Sequence, residues 1–147
     1  MLASCTIEKD FTMSRGLLVW LLIMLIETIH GVFRGLFVVP RFGEETASRI
    51  GWPIGVIIVL GVSYLAIRWI GLRDTSNLIR LGALWAILTF VFEIVIGLLR
   101  GLDAARIWAE INQLEGGLIV YSVIVMFFAP RAAHHVRRIR RGSLTRG

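Results

Sequence analysis

The side chains of this chain that could do chemistry crowd into one short stretch, ETIHGVFRGL, which carries Glu27, His30 and Arg34 between the apolar runs GLLVWLLIMLI and FVVP. A carboxylate, an imidazole and a guanidinium in such surroundings fit three chemistries. An intramembrane carboxylate can mark a proton or cation pathway. Glu and Arg can instead lock two helices together as an ion pair. Glu-x-x-His is also the half-motif that each of two helices supplies to a di-metal carboxylate bundle.

The spacing recurs further along. Glu27-x-x-x-Gly31-x-x-Arg34-Gly35-Leu36 and Glu93-x-x-x-Gly97-x-x-Arg100-Gly101-Leu102 share five residues at an offset of 66, and Trp20 and Trp85 precede the two Glu residues. Leu and Gly coincide easily in apolar sequence, whereas Glu and Arg are rare there. The spacing reads as two copies of a helical hairpin, related by a pseudo-twofold axis along the membrane normal. Gly31/Gly35 and Gly97/Gly101 are the expected helix-packing positions, because glycines four apart let backbones approach closely. Glu27, Gly31 and Arg34 lie on one helical stripe over about 10 Å, as do Glu93, Gly97 and Arg100. Crossed Glu/Arg pairs between the two stripes are therefore feasible.

The metal reading is half complete. Ile96 stands where the second histidine belongs, so Glu27, His30 and Glu93 are the candidate ligands and a homodimer would have to complete the set. No other cofactor is expected. His30 is the one histidine within an apolar run, and the single Cys5 permits no internal disulfide. There is no Gly-rich phosphate loop and no nucleophile elbow.

These residues need elements to hold them, and composition names the elements. The chain is 56% hydrophobic and 18% charged, with mean hydropathy +0.77, too apolar for a soluble domain of this length. Apolar runs at 16–39, 51–70, 79–99 and 114–130 are long enough to cross a hydrocarbon core of about 30 Å as helices. They are too continuous for barrel strands. The expected fold is a single all-α four-helix transmembrane bundle. Pro40 should stop the first span and Pro53 should open the second. Residues 103–115, DAARIWAEINQLE, place Ala104, Ile107, Trp108, Ile111 and Leu114 at helical spacing. They read as a short interfacial helix between the third and fourth spans, capped by Asp103 and ended by Gly116-Gly117.

Lysine and arginine set the orientation. The two ends and the middle loop hold Lys9, Arg15, Arg73, Arg80, Arg131, Arg137, Arg138, Arg140, Arg141 and Arg146, with Arg68 at a span edge, while the opposite side has Arg41, Arg49 and Arg106, with Arg34 and Arg100 near its boundary. Both termini are expected in the cytoplasm. The basic tail, 131–147, should lie on anionic lipid through Arg137, Arg138, Arg140 and Arg141. Nucleic acid is not an expected partner, because no aromatic platform or reading motif accompanies the charge. Leu2-Ala-Ser-Cys5 resembles a lipoprotein box but has no apolar stretch before it, so processing there is not expected. Met13, ahead of SRGLLVW, is a second candidate start.

From about Ser14 to Ala133 the chain resembles small, functionally uncharacterised bacterial four-span membrane proteins. The resemblance rests on Glu27-x-x-His30-Gly31-x-x-Arg34 with Pro40, Ile50-Gly51 with Gly55, Arg68-Trp69-Ile70-Gly71 and Phe92-Glu93-x-x-x-Gly97. It implies a bacterial inner-membrane protein and brings no activity. A first-span Glu and the small size are also similar to small multidrug-resistance transporters, from which Arg34 and the charge bias depart. An Arg or Asp at a span centre costs about 2.5–3.5 kcal/mol, so the charged residues should face the bundle interior, water or another subunit. The leading expectation is a non-catalytic oligomeric or accessory membrane subunit, a homo-oligomer or bound to a membrane-protein partner, with Glu/Arg pairing between spans. The alternative is a proton- or ion-coupled small-solute transporter or channel using Glu27 and Glu93.

Overall fold

The computed structural model describes residues 2–72, 74–112 and 117–144. Arg73, Gln113, Leu114, Glu115, Gly116 and Arg146 lie outside the described residues, as do the side chains of Cys5, Lys9 and Arg141. Helix α1, Leu2–Phe33, runs through a π-helical turn, Arg34–Val38, into α2, Val39–Phe42. Then follow α3 (Glu44–Ile70), α4 (Thr75–Leu99), α5 (Ala104–Ile111) and α6 (Ile119–Leu144), with no strand among the described residues. Four segments, Thr12–Phe42, Glu44–Ile70, Thr75–Leu99 and Ile119–Arg140, are long and apolar enough to cross a membrane. The all-α bundle read from composition is the fold found.

The prolines do not bound the spans as expected. Pro40 has no N–H to give one turn back and its ring crowds that carbonyl. The helix absorbs this by widening: the Val39 N–H closes on the Arg34 carbonyl, and the helix continues to Phe42. Gly43, at φ +78°, makes the break, a left-handed conformation that favours glycine. Helix α3 starts directly after it, with Glu44 and Glu45 in a first turn where exposed N–H groups favour negative charge, and Pro53 falls inside. The basic end is not a separate tail but continues α6 to Leu144.

Helix α1 packs on α3, α3 on α6 and α6 on α4. Two tryptophans close the ring. Trp20 Nε1 donates to Thr89 Oγ1 at 3.0 Å, and Trp85 Nε1 donates to the Gly16 carbonyl at 3.0 Å. A twofold axis along the membrane normal would set the first and third spans on a diagonal; here they are neighbours. The two copies of the repeated spacing also meet different surroundings. Gly16 faces the Leu81 side chain, whereas its counterpart Gly82 faces the Phe127 backbone carbonyl.

The half of the bundle nearer the termini is dry. Val19, Ile23, Ile67, Ile70, Leu78, Leu81, Trp85, Met126, Ala129 and Ala133 fill it. Arginines fasten its rim. Arg15 donates to the Trp69 carbonyl at 3.1 Å and stands over the Trp69 ring. Arg137 Nε donates to the Tyr64 carbonyl at 2.6 Å with its guanidinium 4.4 Å from the ring centroid, and Arg140 reaches the Tyr64 hydroxyl at 3.2 Å. Two of the arginines assigned to lipid thus tie α6 to α3, while Arg138 is exposed. Arg137→Ala is expected to cost about 1–2 kcal/mol through the lost charged hydrogen bond and cation–π contact. Arg138→Ala should leave thermal stability unchanged, and a melting comparison of the two variants checks this.

Candidate functional site

The other half of the bundle is hollow. Trp20 and Phe92 meet edge to face, with centroids 6.3 Å apart. Beyond that contact the helices surround a cavity of about 600 Å³. Met24, Val59, Thr89 and Met126 form its floor against the dry core, and its walls rise to Val39, Glu44, Arg100 and Leu118 at the end carrying the α2–α3 and α4–α5 connections. All five polar residues singled out by spacing, Glu27, His30, Arg34, Glu93 and Arg100, line this one space.

Helix α3 holds the first-span charges through a face of small residues. A Cβ at Gly55 would come within 3.0 Å of Glu27 Oε2, and one at Gly51 within 2.7 Å of Arg34 Cδ. One turn further, Ser48 Oγ accepts from Arg34 at 2.6 Å. Ser48, Gly51 and Gly55 thus form a cradle into which α1 lays a carboxylate and, about two turns away, a guanidinium. His30 Nδ1 stands 3.5 Å from Glu27 Oε2, so the carboxylate is met from its own helix.

Neither Glu27 nor Arg34 forms the crossed pair expected from the repeat. Helix α1 leans on α3 at this level, and the cavity separates it from Glu93 and Arg100. Nor do Glu27, His30 and Glu93 form a ligand set: among the described residues no three His, Cys, Asp or Glu side chains are grouped to hold a metal ion.

The glycines expected at helix contacts take other roles. Gly31 and Gly35 have nothing within 4 Å of an added Cβ and line the cavity, which they widen. Gly97 seats the Ile107 side chain of α5, with Leu102 beside it. Gly101, at φ +77°, ends α4, and the Leu102 N–H returns to the Gly97 carbonyl, a left-handed helix stop. The close contacts belong to Gly16, Gly51, Gly55 and Gly82. Helix α5 begins at Asp103, whose carboxylate accepts from the Arg106 N–H at 2.8 Å. It turns Ile107 toward α4 and leaves Trp108 exposed.

Two buried polar atoms on the cavity wall, Glu27 Oε1 and Trp52 Nε1, have no hydrogen-bond partner among the described residues. No family model, curated protein or solved structure matches the chain. Spacing alone missed Ser48 and Trp52. The Ser48, Gly51 and Gly55 register carries the signal for the cradle, but a span begun at residue 51 leaves Ser48 outside the helix.

Proposed function

We propose that this chain is a small-solute-binding membrane protein of the transporter kind, which admits a polar solute to the cavity and meets it with Glu27 and Glu93. The observation that carries this reading is the convergence of two carboxylates, two guanidiniums and a histidine from the first and third spans on one space of about 600 Å³. Ligand sites commonly measure about 300–1,000 Å³. Charges inside an apolar bundle are costly, and a Glu/Arg lock between the first and third spans needs a contact where the cavity lies. Proton or ion coupling through Glu27 and Glu93 belongs to the same proposal. The Lys/Arg distribution supports both termini in the cytoplasm, the resemblance noted above supports a bacterial inner membrane, and in that orientation the cavity faces outward.

Purified protein should show a melting shift with at least one class in a broad small-solute panel, and pH-gradient-dependent flux of that class in proteoliposomes. Gly55→Leu, which fills the cavity beside Glu27 without removing a charge, should abolish both. Ile96→Trp should do the same from the opposite wall. A panel without a single stabilising solute, or full activity in both variants, overturns the reading.

The accessory-subunit reading is favoured by one observation, the seating of Glu27 and Arg34 against α3. It predicts a homo-oligomer or a bound membrane-protein partner in native mass spectrometry of gently extracted protein. It also predicts that Gly55→Leu impairs assembly and not solute binding.

A further inference from the structure

The charges in the cavity are sorted by depth. Along the first span, Glu27 of α1 lies toward the floor and Arg34, in the π-helical turn that follows, toward the mouth; along the parallel third span, Glu93 of α4 and Arg100 just after it follow the same order. Seven residues separate the members of each pair, about 10 Å along the helix. That is beyond the three- and four-residue spacings at which side chains of one helix meet. Along these two spans the order is therefore two tiers, carboxylates inside and guanidiniums outside, with Glu44 of α3 an exposed carboxylate at the rim beyond them.

The two unpartnered atoms match the tiers. Glu27 Oε1, an acceptor, belongs to the inner one. Trp52 Nε1, a donor, sits on the residue next to Gly51, over which the Arg34 side chain lies. A buried acceptor calls for a donor and a buried donor for an acceptor. A solute that satisfies both, and that complements both tiers, carries an ammonium at one end and an acid at the other.

We infer that the cavity binds a linear zwitterion, its amine end inward between Glu27 and Glu93 and its carboxylate or phosphate end outward at Arg34, Arg100 and Trp52. This rests on the solute-binding reading above and names the class of solute. An amine alone leaves the Trp52 N–H without an acceptor and brings no second charge to Arg34 and Arg100. An acid alone sets its charge against the same tier while Glu27 Oε1 stays unpartnered. Only the two-ended molecule answers the whole wall.

The test uses ω-amino acids from glycine to aminoheptanoate, with alkylamines, alkanoates, diamines and dicarboxylates of matched length, titrated calorimetrically into the detergent-solubilised full chain. Aminoalkyl phosphates in a parallel arm distinguish a phosphate end from a carboxylate end. The expected result is an affinity optimum at one chain length, with the zwitterion there about tenfold or more tighter than either one-ended analogue, or about 1.4 kcal/mol. Glu27→Gln should erase the advantage over the alkanoate and keep the advantage over the alkylamine. Trp52 meets the Tyr121 ring edge to face, with centroids 6.1 Å apart. Trp52→Phe, which keeps a ring there but removes the N–H, should reduce only the advantage over the alkylamine, and Arg34→Gln should erase it. Diamines or dicarboxylates binding as tightly as zwitterions, or affinity that ignores chain length, overturns the inference while leaving solute binding intact. Failure of these probes together with the whole broad panel overturns both.

Discussion

Trp85→Ala is expected to destabilise the protein by about 3–5 kcal/mol, the range for removing a large buried aromatic side chain. Trp85 is fully buried between α1, α4 and α6, among Ile23, Leu81 and Met126. Its indole N–H also closes the helix ring on the Gly16 carbonyl. Loss of the side chain removes both the packing and the closure, so α1 should come away from α4 at the end where they now touch. Trp85→Phe separates the two contributions. It retains most of the volume and forfeits the hydrogen bond, which inside a membrane averages about 0.6 kcal/mol. Chemical unfolding in mixed micelles should rank wild type above Trp85→Phe and both well above Trp85→Ala. An alanine variant as stable as wild type would show that the dry core is not what holds the bundle together.

Gly82→Val should be nearly as damaging, for a different reason. Helices α4 and α6 form the most extensive contact in the bundle. At its centre a Cβ on Gly82 would fall on the Phe127 carbonyl oxygen. A side chain can rotate away from an intruding methyl, but a helix carbonyl cannot, so α6 must shift as a body. Overpacking of this kind typically costs about 1–3 kcal/mol, occasionally more, and valine is bulkier than the Cβ that already collides. Gly61, in α3, is the control: nothing lies within 4 Å of its added Cβ. Gly61→Ala should be neutral or stabilising by up to about 1 kcal/mol from helix propensity. A melting series in which Gly82→Val and Gly61→Ala behave alike would remove the close α4–α6 approach from the account.

The four long helices were legible because each must remain apolar for about twenty residues, a demand few other structures make. The charged cluster was legible for the converse reason: Glu27, Arg34, Glu93 and Arg100 are expensive in such helices and stand out. The helix ends were less so. Pro40 and Pro53 signal boundaries in soluble sequence, but long apolar helices accommodate proline by local widening and neighbouring contacts. Neighbour relations were least legible. Small-residue spacing occurs at Gly31/Gly35, Gly51/Gly55 and Gly97/Gly101 alike, and nothing local says which pair faces another helix. The decision lies in the direction α1 leans. Because it leans on α3, Gly51 and Gly55 receive the charged side chains while Gly31 and Gly35 look into the cavity. The pairing inferred from the repeated Glu and Arg assumed symmetric surroundings that the bundle does not provide.

The division into a hollow half and a dry half also has an electrical meaning. A polar recess open at one end carries the potential of the solution outside it inward toward its floor. On the solute-binding proposal, where the cavity takes up outside solution, the voltage of an energised membrane falls mainly across the layer of Ile23, Leu81, Trp85 and Met126 and not across the full length of the helices. The Glu27 and Arg34 tiers feel little of it. An elementary charge carried past Trp85 would traverse nearly all of it, about 2.3 kcal/mol for each 100 mV. On that proposal the protein is electrically thinner than it is long.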